Sequence, residues 1–296
     1  MSREVGESLV GTASTVRRWL LVEQAGAWGH DAIGQSGLPV EVAEPLRAAT
    51  AAAGVRLLLV RSPTRELVEG RRCALVESGP GRPWQRRAVV ADPRELVGLD
   101  LTSVFEAGGE GFGTPTDDPT LLVCTHGRHD ACCADFGRPL VRALTAIGVA
   151  GLWESSHLGG DRFAANLVCL PHGLYYGRVT PERATGVIDA YGRGEIDLDH
   201  FRGRSCWDTF TQAADVLVRR ERGLRGIDDL APRRRRALGG GVHEVDLAGP
   251  AGASGVRARI RARRAEHPRI LTCAGDTSAP PTFALIALDE LDELGA

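Results

Sequence analysis

The chain has no lysine: all 36 of its basic side chains are arginine. We read this as a coding bias and not as a binding surface, because 38 acidic residues bring the formal net charge to −2. No apolar run approaches the roughly 18–20 residues of a membrane span. The first residues, Met1-Ser-Arg-Glu-Val-Gly-Glu, carry acids and no signal-peptide core. A cytoplasmic protein without a membrane partner is therefore expected. There is no Cys-x2-Cys dithiol, and seven cysteines, an odd number without an export signal, argue against a disulfide scaffold. No paired carboxylates stand in a context that supports glycoside hydrolysis. The basic run Arg233 to Arg236 lies among Asp228, Asp229, Glu244 and Asp246. It reads as a solvated connector, so nucleic acid is not expected as a partner.

What is present is an ordinary globular composition, 43% hydrophobic and 25% charged, over 296 residues. That length suits two domains and a smaller third piece. Trp19-Leu-Leu-Val-Glu23 reads as a buried strand, and Pro39 to Ala53 has helical spacing that stops at Gly54. Val55 to Val60, Cys73 to Glu77 and Arg87 to Ala91 read as strands, and Asp92-Pro-Arg-Glu opens a capped helix. Ala107 to Asp118 lacks periodicity and reads as a linker. Beyond it the order repeats as β-α-β-β-α, one strand short of the first half, with almost no residue-level identity between the two.

Parallel strands joined across a helix, followed by an antiparallel hairpin, suit a thioredoxin-like layer of helices on a mixed sheet. The expected fold class is thus α/β: two tandem thioredoxin-like units with a C-terminal helix and a small β extension. The boundaries are 15–106 for a unit without ligands, 119–225 for the ligand-bearing unit and its following helix, and 226–296 for the extension. In the extension, Val242 to Leu247, Val256 to Arg263, Ile270 to Cys273 and Thr282 to Leu288 are read as four strands. Arginine alternates with Val, Ala and Ile in the second of these, the pattern of a half-exposed strand.

The chemistry concentrates in two loops. Leu121-Leu-Val-Cys-Thr-His-Gly-Arg-His-Asp-Ala-Cys-Cys133 runs from a strand into a loop with thiols spaced Cys124-x8-Cys133. Trp153-Glu-Ser-Ser-His-Leu-Gly-Gly-Asp-Arg-Phe163 carries His157 and Asp161 around two glycines. If the two strands are parallel neighbours, their ends bring Cys124, Cys133, His157 and Asp161 to one sheet edge. Two thiols and two further donors are the means of holding a metal or an iron–sulfur cluster. Adjacent glycines let backbone approach a bulky inorganic group, and the helix start at Cys133 is expected to lower its thiol pKa. Cys73, Cys169, Cys206 and Cys273 read as small buried hydrophobes.

On these two motifs the sequence resembles the sucrase/ferredoxin-like family, whose C-terminal part is a thioredoxin-like ferredoxin. Its hallmark is Cys-x8-Cys followed by His-x-Gly-Gly-His, the four residues ligating a [2Fe–2S] cluster. The stretch Gly173-Leu-Tyr-Tyr-Gly-Arg-Val179 and the early Trp-Leu-Leu-Val-Glu are similar to the family as well. The resemblance covers Trp19 to Arg222. It implies a [2Fe–2S] cluster on Cys124, Cys133, His157 and Asp161, and an electron carrier rather than an enzyme. A reductase or flavoprotein would be the donor, to an unidentified acceptor. Asp161 stands where the family has its second histidine. An anionic oxygen there implies a lower reduction potential than a bis-histidine site and one fewer titrating ligand.

Other readings stay open at this level. Asp161 could instead pair with Arg162 or cap the loop, with Cys132 as a reserve ligand. The fold could be a cluster-free thiol redox protein, or hold a structural metal ion. Cys124-Thr-His126 with Cys169-Leu-Pro-His172 spells the halves of a Rieske site. The expected topology puts those halves at opposite sheet edges, which counts against it.

Overall fold

Two apolar runs flanking an amphipathic helix begin the fold. β1 (Arg18–Glu23) and β2 (Val55–Arg61) pair in parallel across α1 (Val40–Ala52). β3 (Arg71–Glu77) and β4 (Trp84–Val90) then add antiparallel on the other side of β1. A 3-10 turn at Pro93–Leu96 has the expected cap: Asp92 Oδ1 accepts from Arg94 N, while Glu95 reaches back to the Asp92 amide. After α2 (Leu101–Glu106), β5 (Thr114–Pro115) edges onto β4. The segment read as a linker therefore lies along the sheet, with Phe112 buried and Arg86 donating to the carbonyls of Phe112 and Gly113.

The second unit has the same form. β6 (Thr120–Cys124) and β7 (Leu152–Ser155) are parallel across α3 (Ala131–Ala146). β8 (Leu167–Leu170) and β9 (Leu174–Tyr176) follow antiparallel. It is not one strand short: with both strands of the hairpin counted, β6 to β9 correspond to β1 to β4. α4 (Pro181–Gly192), β10 (Phe201–Arg204) beside β9, and α5 (Thr209–Arg222) complete it. The computed structural model describes residues 6–66, 68–79, 82–250, 254–264, 268–273 and 275–291.

The two units share one ten-stranded sheet, ordered β10-β9-β8-β6-β7-β2-β1-β3-β4-β5. The seam is the antiparallel pair β2 and β7, with Val60 opposite Ser155 and Arg61 opposite Glu154. Arg61 and Glu154 form an ion pair there at 2.8 Å, and Ser156 N donates to Leu59 O at 2.8 Å. Because the end of β7 is locked to β2, the loop that follows is positioned by both units.

The extension departs from the sequence reading in two places. Ala231–Gly239 is a strand, β11, and not a connector; it edges a sheet of β12 (Val242–Ala248), β13 (Gly255–Arg264) and β16 (Pro281–Leu291). Four consecutive arginines carry no period-2 signal. Two of their charges are met by neighbours instead, Arg236 by Glu244 at 2.5 Å and Arg235 by Asp208 at 3.3 Å. An arginine-rich edge also resists further strand pairing. Ile270 to Cys273 does not join this sheet: β14 (Arg269–Ile270) pairs with β15 (Thr277–Ser278) as a separate short hairpin. β13 alternates as expected, burying Val256, Ala258 and Ile260 in the core that α5 shares.

α5 is capped by Asp208, whose Oδ1 accepts from Phe210 N at 3.0 Å and Thr211 N at 3.3 Å. Asp208→Ala should destabilise the protein by about 1 kcal/mol. Chemical denaturation would read this as a lower midpoint at unchanged slope.

Candidate metal centre

Alternation along β6 sends Leu121 and Val123 into the core under α3, and Leu122 and Cys124 into the core on the opposite face. Cys124 is the last residue of the strand. The chain then turns through 125–130 and enters α3 at Asp130, whose Oδ1 accepts from Cys132 N at 2.9 Å while its carbonyl accepts from Cys133 N at 3.1 Å. The helix lies so close to the strand that a Cβ on Gly137 would stand 2.0 Å from the Cys124 carbonyl oxygen. That close approach brings Cys133 onto Cys124.

From β7, Ser155 and Ser156 lead to His157 and a turn at Gly159 and Gly160, where φ is +98° and +78°. These left-handed conformations suit glycine. Every carbonyl of the turn is held from outside it. His157 O accepts from Arg56, Leu158 O from Ser14 Oγ and Tyr175 Oη, Gly159 O from Arg202, and Gly160 O from Asn166. Among the described residues the N–H groups of 157–160 donate to no backbone carbonyl. Asp161 then opens a 3-10 turn and is buried.

The four residues expected from the sequence meet. His157 Nδ1 lies 2.9 Å from Asp161 Oδ1, and Cys133 Sγ is 3.6 Å from that oxygen and 3.9 Å from the His157 nitrogen. Ligand atoms of Cys124, Cys133 and His157 lie within 4.8 Å of one another. Asp161 faces this group and not Arg162, which pairs with Glu7 at 2.8 Å. Cys132 points away, with its sulfur 2.8 Å from that of Cys273. The Rieske pairing does not assemble: Cys169 sits opposite Leu121, and His172 Nδ1 bonds the Tyr191 hydroxyl at 2.8 Å.

One expectation about charge is overturned. Cys133 is pushed up, not down: its thiol donates to Cys124, and burial and the neighbouring Cys124 charge oppose ionisation. The hydrogen bond from Cys133 pulls Cys124 well below the usual thiol range; burial opposes this, and His157 and the His126 amide assist it. Cys124 is thus the more readily ionised of the pair. Burial works against charge on His157, but the Asp161 and Cys124 contacts outweigh it and raise its pKa to about 9.

The first unit contributes more than support. His126 Nε2 lies 2.6 Å from Gly29 O, and its ring meets Trp28 edge-on. His30 and His129 rings are 5.3 Å apart, and His129 stacks on His157 at 3.9 Å. A cleft of about 330 Å³ opens beside this column, lined by His30, Arg56, His126, His129 and His157. Burial lowers the pKa of His126 and of His129. Nothing in the glycine-rich spacing of 25–33 singled out His30. Arg202 was missed for the same reason, and Cys273, read as a small buried hydrophobe, is exposed instead; the contacts of both are long-range and leave no local pattern.

The profile of the sucrase/ferredoxin-like family matches residues 9–203. Two curated proteins are similar over shorter stretches, both called altered inheritance of mitochondria protein 32. The one from Candida glabrata is 26% identical over 102 residues, 29% of this chain and 33% of that protein. The one from Debaryomyces hansenii is 31% identical over 94 residues, 28% of this chain and 34% of that protein. The chain thus spans about a third of the length of the curated relatives it matches. Among solved structures, a cysteine-to-serine variant of the thioredoxin-like [2Fe-2S] ferredoxin from Aquifex aeolicus is similar at 16% identity, with a TM-score of 0.26. The match covers 29% of this chain and 100% of that one.

Proposed function

The chain belongs to the sucrase/ferredoxin-like family, and we propose that it is an electron carrier holding a [2Fe–2S] cluster on Cys124, Cys133, His157 and Asp161. The observation that carries this reading is the convergence of four donor side chains from two loops, two of them thiols. The residues present fit such a group. Thiols suit iron and sulfide, imidazole and carboxylate complete the set, and the 157–160 turn has N–H groups free of backbone acceptors to meet sulfide. When bound, the cluster supplies a one-electron couple. The protein fixes the ligands, dries the thiol side and leaves His157 half-buried toward the cleft.

In this reading the unit at 119–225 carries the redox chemistry, and the unit at 15–106 holds no ligand but shapes the cleft. The donor is a reductase or flavoprotein, and a cytoplasmic setting belongs to the same reading. No helix among the described residues is long and apolar enough to cross a membrane.

Anaerobically purified protein should be red-brown, with about two irons and two acid-labile sulfides per chain. Reduction should give the EPR signal of a one-electron-reduced pair. The compactness of the group, with the His157, Asp161 and Cys133 donor atoms 2.9–3.9 Å apart, favours a second reading, a single structural metal ion such as zinc. Colourless protein with one bound zinc and no sulfide would establish that reading over the cluster.

Asp161 has its own test. Asp161→His replaces an anionic donor with a neutral one, so it should keep the cluster and raise its potential by on the order of 100 mV. The potential should also become more steeply pH-dependent, because two imidazoles would then titrate. A spectroelectrochemical titration with an unchanged midpoint and pH slope would remove Asp161 from the ligand set.

A further inference from the structure

Adjacent residues at a helix start point in different directions, and here each thiol meets a different partner. Cys133 faces Cys124, whereas Cys132 Sγ lies 2.8 Å from Cys273 Sγ across 141 positions of sequence. Cys273 sits in the turn between β14 and β15, which is closed by Leu271 N donating to Asp276 O at 2.7 Å and Gly275 N to Thr272 O at 3.1 Å. Asp130 joins the two cysteines: Oδ1 accepts from Cys132 N at 2.9 Å and Oδ2 from Cys273 N at 2.7 Å. One carboxylate thus grips the backbone of both residues and sets their sulfurs together. Cys132 is buried and Cys273 exposed, so one thiol of the pair is open to small reagents while the other is shielded behind it.

We propose that Cys132 and Cys273 form a redox-active dithiol that closes to a disulfide, latching the β14–β15 hairpin onto the first turn of α3. The sulfurs are closer than the roughly 3.8 Å that two thiolates keep on one zinc ion, and close enough for modest side-chain rotation to reach the bond length of about 2.05 Å. A small-molecule disulfide is the oxidant. The Cys273 sulfur attacks it, expelling one thiol and forming a mixed disulfide. The Cys132 sulfur then attacks the Cys273 sulfur and expels the second thiol. Two protons and two electrons pass from the protein to the oxidant, and one sulfur–sulfur bond replaces another. Neither cysteine belongs to the proposed cluster ligands, so the dithiol stands or falls independently of the cluster.

The test is thiol mapping of the full chain. Anaerobically purified protein is incubated with reduced or oxidised glutathione, quenched in acid, alkylated and analysed by intact and peptide mass. The expected result is a linked pair of peptides carrying Cys132 and Cys273 in most molecules under oxidised glutathione and in few under reduced. The visible spectrum should be unchanged between the two. Cys273→Ser should abolish the link at an exposed position where folding is not at stake, and Cys132→Ser should leave Cys273 as a glutathione adduct. Free alkylation of both thiols under oxidised glutathione, or linkage of Cys132 to Cys124 or Cys133, would overturn the proposal. So would a zinc ion that binds the reduced protein alone, blocks alkylation of both thiols and is lost in Cys273→Ser, since that marks a metal site.

Discussion

Cys133→Ala protein should be purified colourless, with iron and sulfide reduced roughly tenfold or more from about two of each per chain. The reason lies in how central that sulfur is. Cys133 is fully buried and lies 3.6 Å from Asp161 Oδ1 and 3.9 Å from His157 Nδ1, while its thiol donates to Cys124. Alanine removes one of two sulfur donors and supplies no substitute, whereas serine would leave an oxygen able to ligate. Cys132 cannot step in, because it is turned to Cys273 on the other side of the helix start. The loss of one buried sulfur atom costs on the order of 1 kcal/mol, so the fold should persist. Cys169→Ala provides the control: it deletes an equally buried thiol whose strand position is opposite Leu121, and it should keep its full iron and colour. Full cluster content in Cys133→Ala would sink the assignment.

The two-loop site was legible because its parts are local. Cys124-x8-Cys133 and His157 to Asp161 are short spacings at strand ends, and a parallel pair of strands is enough to bring them together. The strand and helix cores were legible for the same reason: Leu121 to Cys124, or Val256 to Ile260, carry their burial in their own periodicity. What failed was long-range or non-periodic. The arginine run of β11 has charge on both faces, so only its cross-strand partners reveal it as a strand. Cys273 sits in an apolar-looking run, and its meeting with Cys132 depends on where a distant hairpin folds back. The charge on the thiol pair was misjudged because a helix N-terminus is a weaker influence than a second sulfur in a buried space. His30 reaches the site only because two units fuse at β2 and β7, a seam that neither unit's sequence announces.

Arg202→Met should destabilise the protein by about 3 kcal/mol and loosen the histidine loop in particular. Arg202 is almost fully buried, and among the described residues no carboxylate forms an ion pair with it. Its charge is held by neutral acceptors: Nη1 donates to Asn166 Oδ1 at 2.7 Å and Gly159 O at 3.1 Å, Nε to Thr12 Oγ1 at 3.1 Å, and Nη2 to Thr12 O. The guanidinium also lies 4.9 Å from the Phe163 ring centre and 5.5 Å from that of Tyr175. Burial lowers its pKa to about 10, so it stays charged at neutral pH. Methionine fills similar space and relieves the cost of burying the charge, which offsets part of the loss. It leaves the carbonyls of Gly159 and Thr12 and the Asn166 side chain without their donor, each worth about 1–3 kcal/mol when buried unsatisfied. The consequence reaches the candidate metal centre through Gly159 and through Asn166, which holds Gly160 O at 2.9 Å. His157 and Asp161 should then be placed less firmly, while Cys124 and Cys133, fixed by β6 and α3, stay as they are. Urea denaturation reads the first effect. Amide exchange over 156–161 and the rate of metal loss to a chelator read the second. A variant with lowered stability but unchanged loop exchange and metal retention would make Arg202 a brace of the core alone, with no part in positioning the ligands.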